Sequence, residues 1–207
     1  MSRISPDFVP QLLAGMVVNF QIAALALLIG LAVGGLLTLA KLAGGVRGII
    51  ATTLIGLMRA APTFVVMFFL LNIIPSDATL FGIPVAPSGI MTVALSLVPY
   101  AAAYVADNGS EALRQLRDGS PLGALLFLPN VTRAFFVLVM SSSAGAAIGV
   151  PEGIAVILRE AEPMPTLGDK MVLFAIGILC FGVTLQAGFA LMRLLQRHLG
   201  RLALRTR

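Results

Sequence analysis

The chain has 207 residues, 58% of them apolar and 11% charged, with a mean hydropathy of +1.01. That balance excludes an ordinary soluble domain, and a single cysteine, Cys180, excludes an intrachain disulfide scaffold. The net charge of +5 does not require nucleic acid as a partner, because the arginines gather at the edges of apolar runs and in the tail, where they act as topology signals.

The first twenty residues, MSRISPDFVPQLLAGMVVNF, carry one arginine, Asp7 and two prolines. The apolar run that follows is too long for the h-region of a secretory signal, so the segment is expected to be retained. Five runs can cross roughly 30 Å of hydrocarbon at about 1.5 Å per helical residue. They cover about 12–43, 49–74, 88–107, 122–149 and 171–195. Every backbone amide in lipid needs an internal partner, so runs of this length imply helices; a barrel would show short alternating segments instead. The expected fold is an all-α integral membrane protein with about five transmembrane helices in one domain, 1–207. A polar loop is expected at about 108–122 and a tail at 196–207. Cys180 lies in an apolar run and is expected to pack as a small hydrophobe.

The basic residues set an expected orientation. Arg193, Arg197, Arg201, Arg205 and Arg207 place the tail in the cytoplasm, with His198 among them. Five spans then put Lys41 and Arg47, and Arg114 and Arg117 in the loop, on the same side, with Arg133 just beyond. The N-terminus lies outside, with most of the acids.

Within the runs, Gly30 and Gly34, and Gly145 and Gly149, have the spacing that lets helices pack closely in lipid. Arg59 lies inside the second run, three residues before Pro62. An intramembrane arginine is costly unless paired or hydrated, which makes it a functional candidate; the alternative is that it snorkels to the membrane edge. Asp107 follows Tyr104 and either pairs with a basic group or marks the membrane boundary. Ser142 and Ser143, in the fourth run, either contact substrate or return hydrogen bonds to their own helix. No phosphate-binding glycine loop, metal-ligand spacing or nucleophile motif occurs. The chain is expected to have no enzymatic centre of its own.

Four segments, in order, resemble the permease subunits of bacterial ABC importers for polar amino acids (histidine, glutamate, glutamine, arginine and opine type). The first run, with Gly15, Gly30 and Gly34, resembles the family's first span, with Asn19 where the family usually has threonine. LMRAAP shares Arg59 and Pro62 with an arginine-glycine-threonine-proline segment, AYVAD resembles alanine-tyrosine-x-alanine-glutamate, and IGVPE, ending at Glu152, matches closely. The resemblance implies a type I ABC importer permease-like bundle in the bacterial inner membrane. It implies two permease subunits, two cytoplasmic ABC ATPase subunits that carry the ATP and Mg, a periplasmic solute-binding protein and surrounding membrane lipid. No cofactor is expected in this chain. It also implies a translocation pathway near Arg59, Pro62, Tyr104, Asp107, Ser142 and Ser143.

A permease of this kind sends a short coupling helix, with glutamate-alanine-alanine and a later glycine, into the ATPase. Here that region is about a dozen residues short, and two alignments remain open. In one, Glu111 and Ala112 begin the motif, with Arg114 and Arg117 beside it. In the other, the helix of the third span runs on, Gly119 opens the motif, and Leu122, Gly123 and Ala124 are its remnant. The reduced motif suggests a heterodimer with a second permease that keeps an intact coupling helix. An integral-membrane enzyme and a non-transporting scaffold are the alternative functions.

Overall fold

The structure, a computed structural model, describes residues 4–75, 77–80, 83–84, 86–120 and 125–205. The first helix, α1, spans Phe8–Ala43, followed by α2, Gly45–Ala60, and α3, Thr63–Ile73. A two-stranded antiparallel hairpin pairs β1, Thr79–Leu80, with β2, Ile83–Pro84. Then come α4, Gly89–Arg117, and α5, Phe127–Ser141. A 3-10 helix, Ser142–Ile148, leads to α6, Gly153–Ala161, and α7, Leu167–Arg205.

Among the described residues, four helices are long and apolar enough to cross a membrane: Phe8–Ala43, Gly89–Arg117, Phe127–Ile148 and Leu167–Leu194. There are five if the bent pair α2–α3 counts as one span. Apart from the short hairpin, the described chain is thus a helical bundle with four to five membrane-crossing elements.

The run at 49–74, expected as one span, is two helices meeting at 95°. Pro62 has no amide hydrogen to continue α2, and it disfavours helical backbone at Ala61. Ala61 and Pro62 are accordingly extended, with ψ of 115° and 124°.

The loop expected at 108–122 is helical through Arg117, as a continuation of α4. Its sequence, EALRQLR, consists of strong helix formers, and Gln115 donates to Glu111 one turn back at 2.8 Å. The helix stops at Gly119, whose φ of 77° lies in the left-handed region. There Ser120 N–H donates to the Gln115 carbonyl and Gly119 N–H to that of Leu116, the paired bonds of a Schellman stop. Leu122, Gly123 and Ala124, the motif remnant of the second alignment, lie outside the described residues, as does Arg207.

The core forms between α1 and α4. The buried positions of α1, from Leu12 through Asn19, Ala26 and Gly34 to Thr38, recur every three or four residues and so form one stripe. Along it Gly30 and Gly34 meet α4 at backbone distance. A Cβ on Gly30 would lie 2.5 Å from the Ala101 Cβ, and one on Gly34 would lie 2.5 Å from the Ala102 carbonyl oxygen. Gly145 packs less tightly, with a Cβ there 3.2 Å from the Val150 Cβ and 3.3 Å from the Val93 Cγ2. Gly149 is different, and the packing role expected for it is corrected. It has open space where a Cβ would point and a φ of 79°, so it ends the 3-10 helix.

The α1–α4 contact yields a paired test. Gly34→Ala is expected to lower stability by about 1–3 kcal/mol through overpacking. Gly35→Ala, in open space, should leave stability unchanged or raise it by up to about 1 kcal/mol. Thermal unfolding in detergent, followed by circular dichroism, measures both; equal effects would contradict the contact.

Candidate functional site: two polar clusters in an apolar bundle

Polar side chains inside the bundle collect into two clusters. The first forms where the chain breaks between α5 and α6. Ser142 opens the 3-10 helix, Gly149 ends it, and Pro151 precedes Glu152, the N-cap of α6. Such a break frees backbone groups that water cannot satisfy in hydrocarbon. Asn19 on α1 and Glu152 supply the partners, and Asn19, Ser142 and Glu152 are all fully buried.

The Asn19 amide nitrogen donates to Ser142 Oγ at 2.9 Å and to Glu152 Oε2 at 2.8 Å. Its Oδ1 accepts from Gly153 N–H at 3.0 Å. Glu152 accepts from Ile154 N–H on Oε2 at 3.0 Å and from Ala155 N–H on Oε1 at 2.9 Å. The Glu152 carbonyl accepts from Val156 N–H at 3.1 Å. With Glu152 N–H donating to the Val150 carbonyl at 2.8 Å, all four amides that α6 would otherwise leave unpaired at its start are bonded. Ser142 donates to the Val139 carbonyl at 2.7 Å. One turn before Asn19, a Cβ on Gly15 would lie 2.9 Å from the Glu152 carbonyl carbon and the Gly153 nitrogen. Glycine there lets α1 come close enough for Asn19 to reach.

The second cluster joins the ends of three helices. Asp107 on α4 takes Lys41 Nζ of α1 at 3.3 Å on Oδ1 and the Arg59 guanidinium of α2 on Oδ2. Arg59 remains more than half exposed, so the pair orients helices more than it stabilises them. Pro62 stands three residues past Arg59, at the bend. Tyr104 is one turn before Asn108, whose amide donates to the Tyr104 carbonyl at 2.8 Å. Asn130 of α5 donates to Asn108 at 2.7 Å, which brings the start of α5 to the same end of the bundle.

The candidate residues thus divide. Arg59, Pro62, Tyr104 and Asp107 fall in one cluster, and Ser142 and Ser143 in the other, with Ser143 beside the Glu152 carboxylate. Asn19 and Lys41, which mark the two clusters on α1, are 22 residues apart, or about 33 Å along a helix. Glu111, Ala112, Arg114, Arg117 and Gly119 lie on the extension of α4 beyond Asp107. Sequence reasoning gave no role to Asn19 or Glu152 and read Lys41 only as a topology charge. A side-chain amide in mid-run and a carboxylate directly after Pro151 are the signals that could have found the first two.

Ser142 has no base beside it, since it donates to a backbone carbonyl. Among the described residues no three His, Cys, Asp or Glu side chains gather as a metal site would need. The clusters hold helices in register and present polar groups at a chain break.

The first cluster predicts unequal costs. Asn19→Leu leaves the Gly153 amide and one bond of the Glu152 carboxylate unmet and is expected to cost at least about 3 kcal/mol, against about 1 kcal/mol for Ser142→Ala. Chemical unfolding in detergent checks this. Asn19→Leu costing no more than Ser142→Ala would show that Asn19 does not hold the break.

No protein-family model and no curated protein matches the chain. Its structure is similar to a solved one, the crystal structure of an amino acid ABC transporter with histidines. The two chains superpose with a TM-score of 0.70 over 93% of this chain and 95% of that one, at 16% identity. The chain therefore has the fold of a subunit of that transporter.

Proposed function

We propose that the chain is the membrane-spanning subunit of an ATP-driven importer of amino acids or related small polar solutes in a bacterial inner membrane. The observation that carries this reading is the fold shared along nearly the full length of both chains with an amino acid ABC transporter. Two discontinuous helical segments support it, one bent at Pro62 and one broken at Gly149–Pro151. Interrupted helices with freed backbone groups are where membrane transporters place solutes and hinges.

On this reading ATP and Mg act on separate ATPase subunits, and a periplasmic binding protein delivers the solute. The N-terminus is periplasmic and the C-terminus cytoplasmic. The extension of α4 from Asn108 to Gly119 then faces the ATPase. Asp107 lies just before it, bonded to α1 and α2, so a push on the extension would reach all three helices together. A second permease subunit with an intact coupling helix would complete a heterodimer.

Two experiments test the reading. With the partner subunits co-expressed, uptake of labelled amino acids should fall at least about tenfold in Arg59→Ala, an effect worth roughly 1.4 kcal/mol or more on the transport barrier. Unchanged uptake and unchanged solute-stimulated ATP hydrolysis would remove Arg59 from the pathway. Separately, the triple variant Glu111→Ala/Arg114→Ala/Arg117→Ala should lose its ATPase on co-purification while remaining folded. Full retention, with normal uptake, would deny those residues a coupling role.

A further inference from the structure

Arg133 on α5 and Arg193 on α7 are exposed arginines with no acidic partner among the described residues. They line the same cavity of about 340 Å³, between the start of α5 and the end of the α7 span. Arg133 lies six residues past Phe127, about 9 Å along the helix. Arg193 lies near the C-terminal end of the apolar run at 171–195. A guanidinium at the edge of an apolar span favours a counter-charge or hydration. Arg59, also within an apolar run, has Asp107; these two have nothing comparable.

The cavity has a firm floor. Phe189 packs on Phe136 with ring centroids 4.3 Å apart. A Cβ on Gly188 would lie 2.5 Å from the Phe136 ring, so α5 and α7 meet closely there. Pro129 and Met192 add apolar wall, and Asn130 adds polar wall while bonded to Asn108. That bond fixes the cavity at the end of the bundle that carries Lys41, Arg59 and Asp107. α7 lies on the perimeter, with 11% of its apolar window buried, and Leu128, Leu191 and Leu194, each next in sequence to a residue that lines the cavity, are exposed.

We infer that this cavity binds the phosphate of an anionic phospholipid, held by Arg133 and Arg193, with the acyl chains along the exposed leucines. Planar guanidinium forks match phosphate oxygens in pairs. A basic pocket between helices at one membrane face is the chemistry that retains acidic headgroups. A zwitterionic lipid would bring its own cation toward two guanidiniums. The inference needs only that α5 and α7 cross the membrane and does not rest on the transport reading.

The test is native mass spectrometry of the full-length chain in mild detergent, after exchange with vesicles of equal phosphatidylglycerol and phosphatidylcholine. Phosphatidylglycerol adducts should exceed phosphatidylcholine adducts by about fivefold or more, the scale set by the attraction of one or two basic side chains. The preference should vanish in Arg133→Gln/Arg193→Gln, survive in Arg133→Lys/Arg193→Lys, and stay unchanged in Arg47→Gln, an exposed arginine outside the cavity. Parity in the native chain, or an undiminished preference in the double glutamine variant, overturns the inference. Displacement of the lipid by millimolar inorganic phosphate would mark a site for a soluble anion and overturn it equally. If the glutamine variant does not fold, a photoactivatable phosphatidylglycerol on the native chain decides. Crosslinks to the start of α5 or to the 188–194 turn of α7 support the site, and crosslinks elsewhere alone refute it.

Discussion

The side-chain amide of Asn19 must satisfy a chain break that water cannot reach. Its two N–H groups go to Ser142 and Glu152, and its carbonyl takes the Gly153 amide. Those bonds join the middle of α1 to the end of α5 and the start of α6. Without them the left-handed turn at Gly149, the proline after Val150 and the free start of α6 would leave bare polar groups in an apolar setting. The short helix α6, nine residues long, is too brief to be stable alone. It exists because Glu152 and Asn19 bond its first turn, and because Val156 and Ile157 pack on Leu12 and Met16. Gly15 belongs to the same constraint, since any side chain there would push α1 off the Glu152 backbone.

α4 distributes that order to the rest of the bundle. It contacts α1, α2, α3, α5 and the 3-10 helix, and its buried face is mostly small: Ala94, Ser96, Ala101, Ala102, Ala103 and Ala106. Small residues allow backbones to approach where lipid offers no hydrophobic drive for helix pairing. Twenty-nine residues make α4 longer than the hydrocarbon needs. The surplus is the segment beyond Asp107, which leaves the apolar zone as continuous helix. An ion cluster at the point of exit therefore joins a rigid rod to the ends of two neighbours, beside the packing of Leu37, Ile55 and Met58 on Ala103 and Ala106.

The sequence alone made the helices legible, because length and hydropathy decide membrane crossing almost without regard to tertiary structure. Gly30 and Gly34 were legible for a related reason: small residues at a four-residue spacing have few uses in lipid besides packing. Gly149 has the same spacing from Gly145, yet it terminates a 3-10 helix. Spacing cannot distinguish a packing glycine from one needed for its φ. The bend at Pro62 was visible as a proline but not as a right angle, since many proline kinks are mild and the angle depends on what α3 packs against. The helix through Glu111–Arg117 was one of two readings: its charge reads as a loop in a greasy chain, whereas its local propensity and one of the two alignments continue the helix of the third span. Asn19 and Glu152 were hidden by distance, being 133 residues apart, and no local pattern announces a bond across that separation.

The arginines show how far one residue type can differ in meaning along a single chain. Arg59 sits in an apolar run and finds Asp107 on a neighbouring helix, so its charge is answered within the fold. Arg114 and Arg117 sit on the extension of α4, exposed beyond the apolar zone, where water answers them. Arg133 and Arg193 have neither an acid nor a place clear of the membrane edge, and they share one cavity. Sequence-level counting of positive charge sets Arg59 apart but treats the other four as the same orientation signal. The structure separates them by what neutralises each, and that separation locates where a counter-charge from outside the chain belongs. A cavity walled by two guanidiniums on the lipid-facing perimeter is a poor place for a soluble solute to queue and a natural one for a headgroup, so the bundle's two internal clusters and its one external one need not serve the same task.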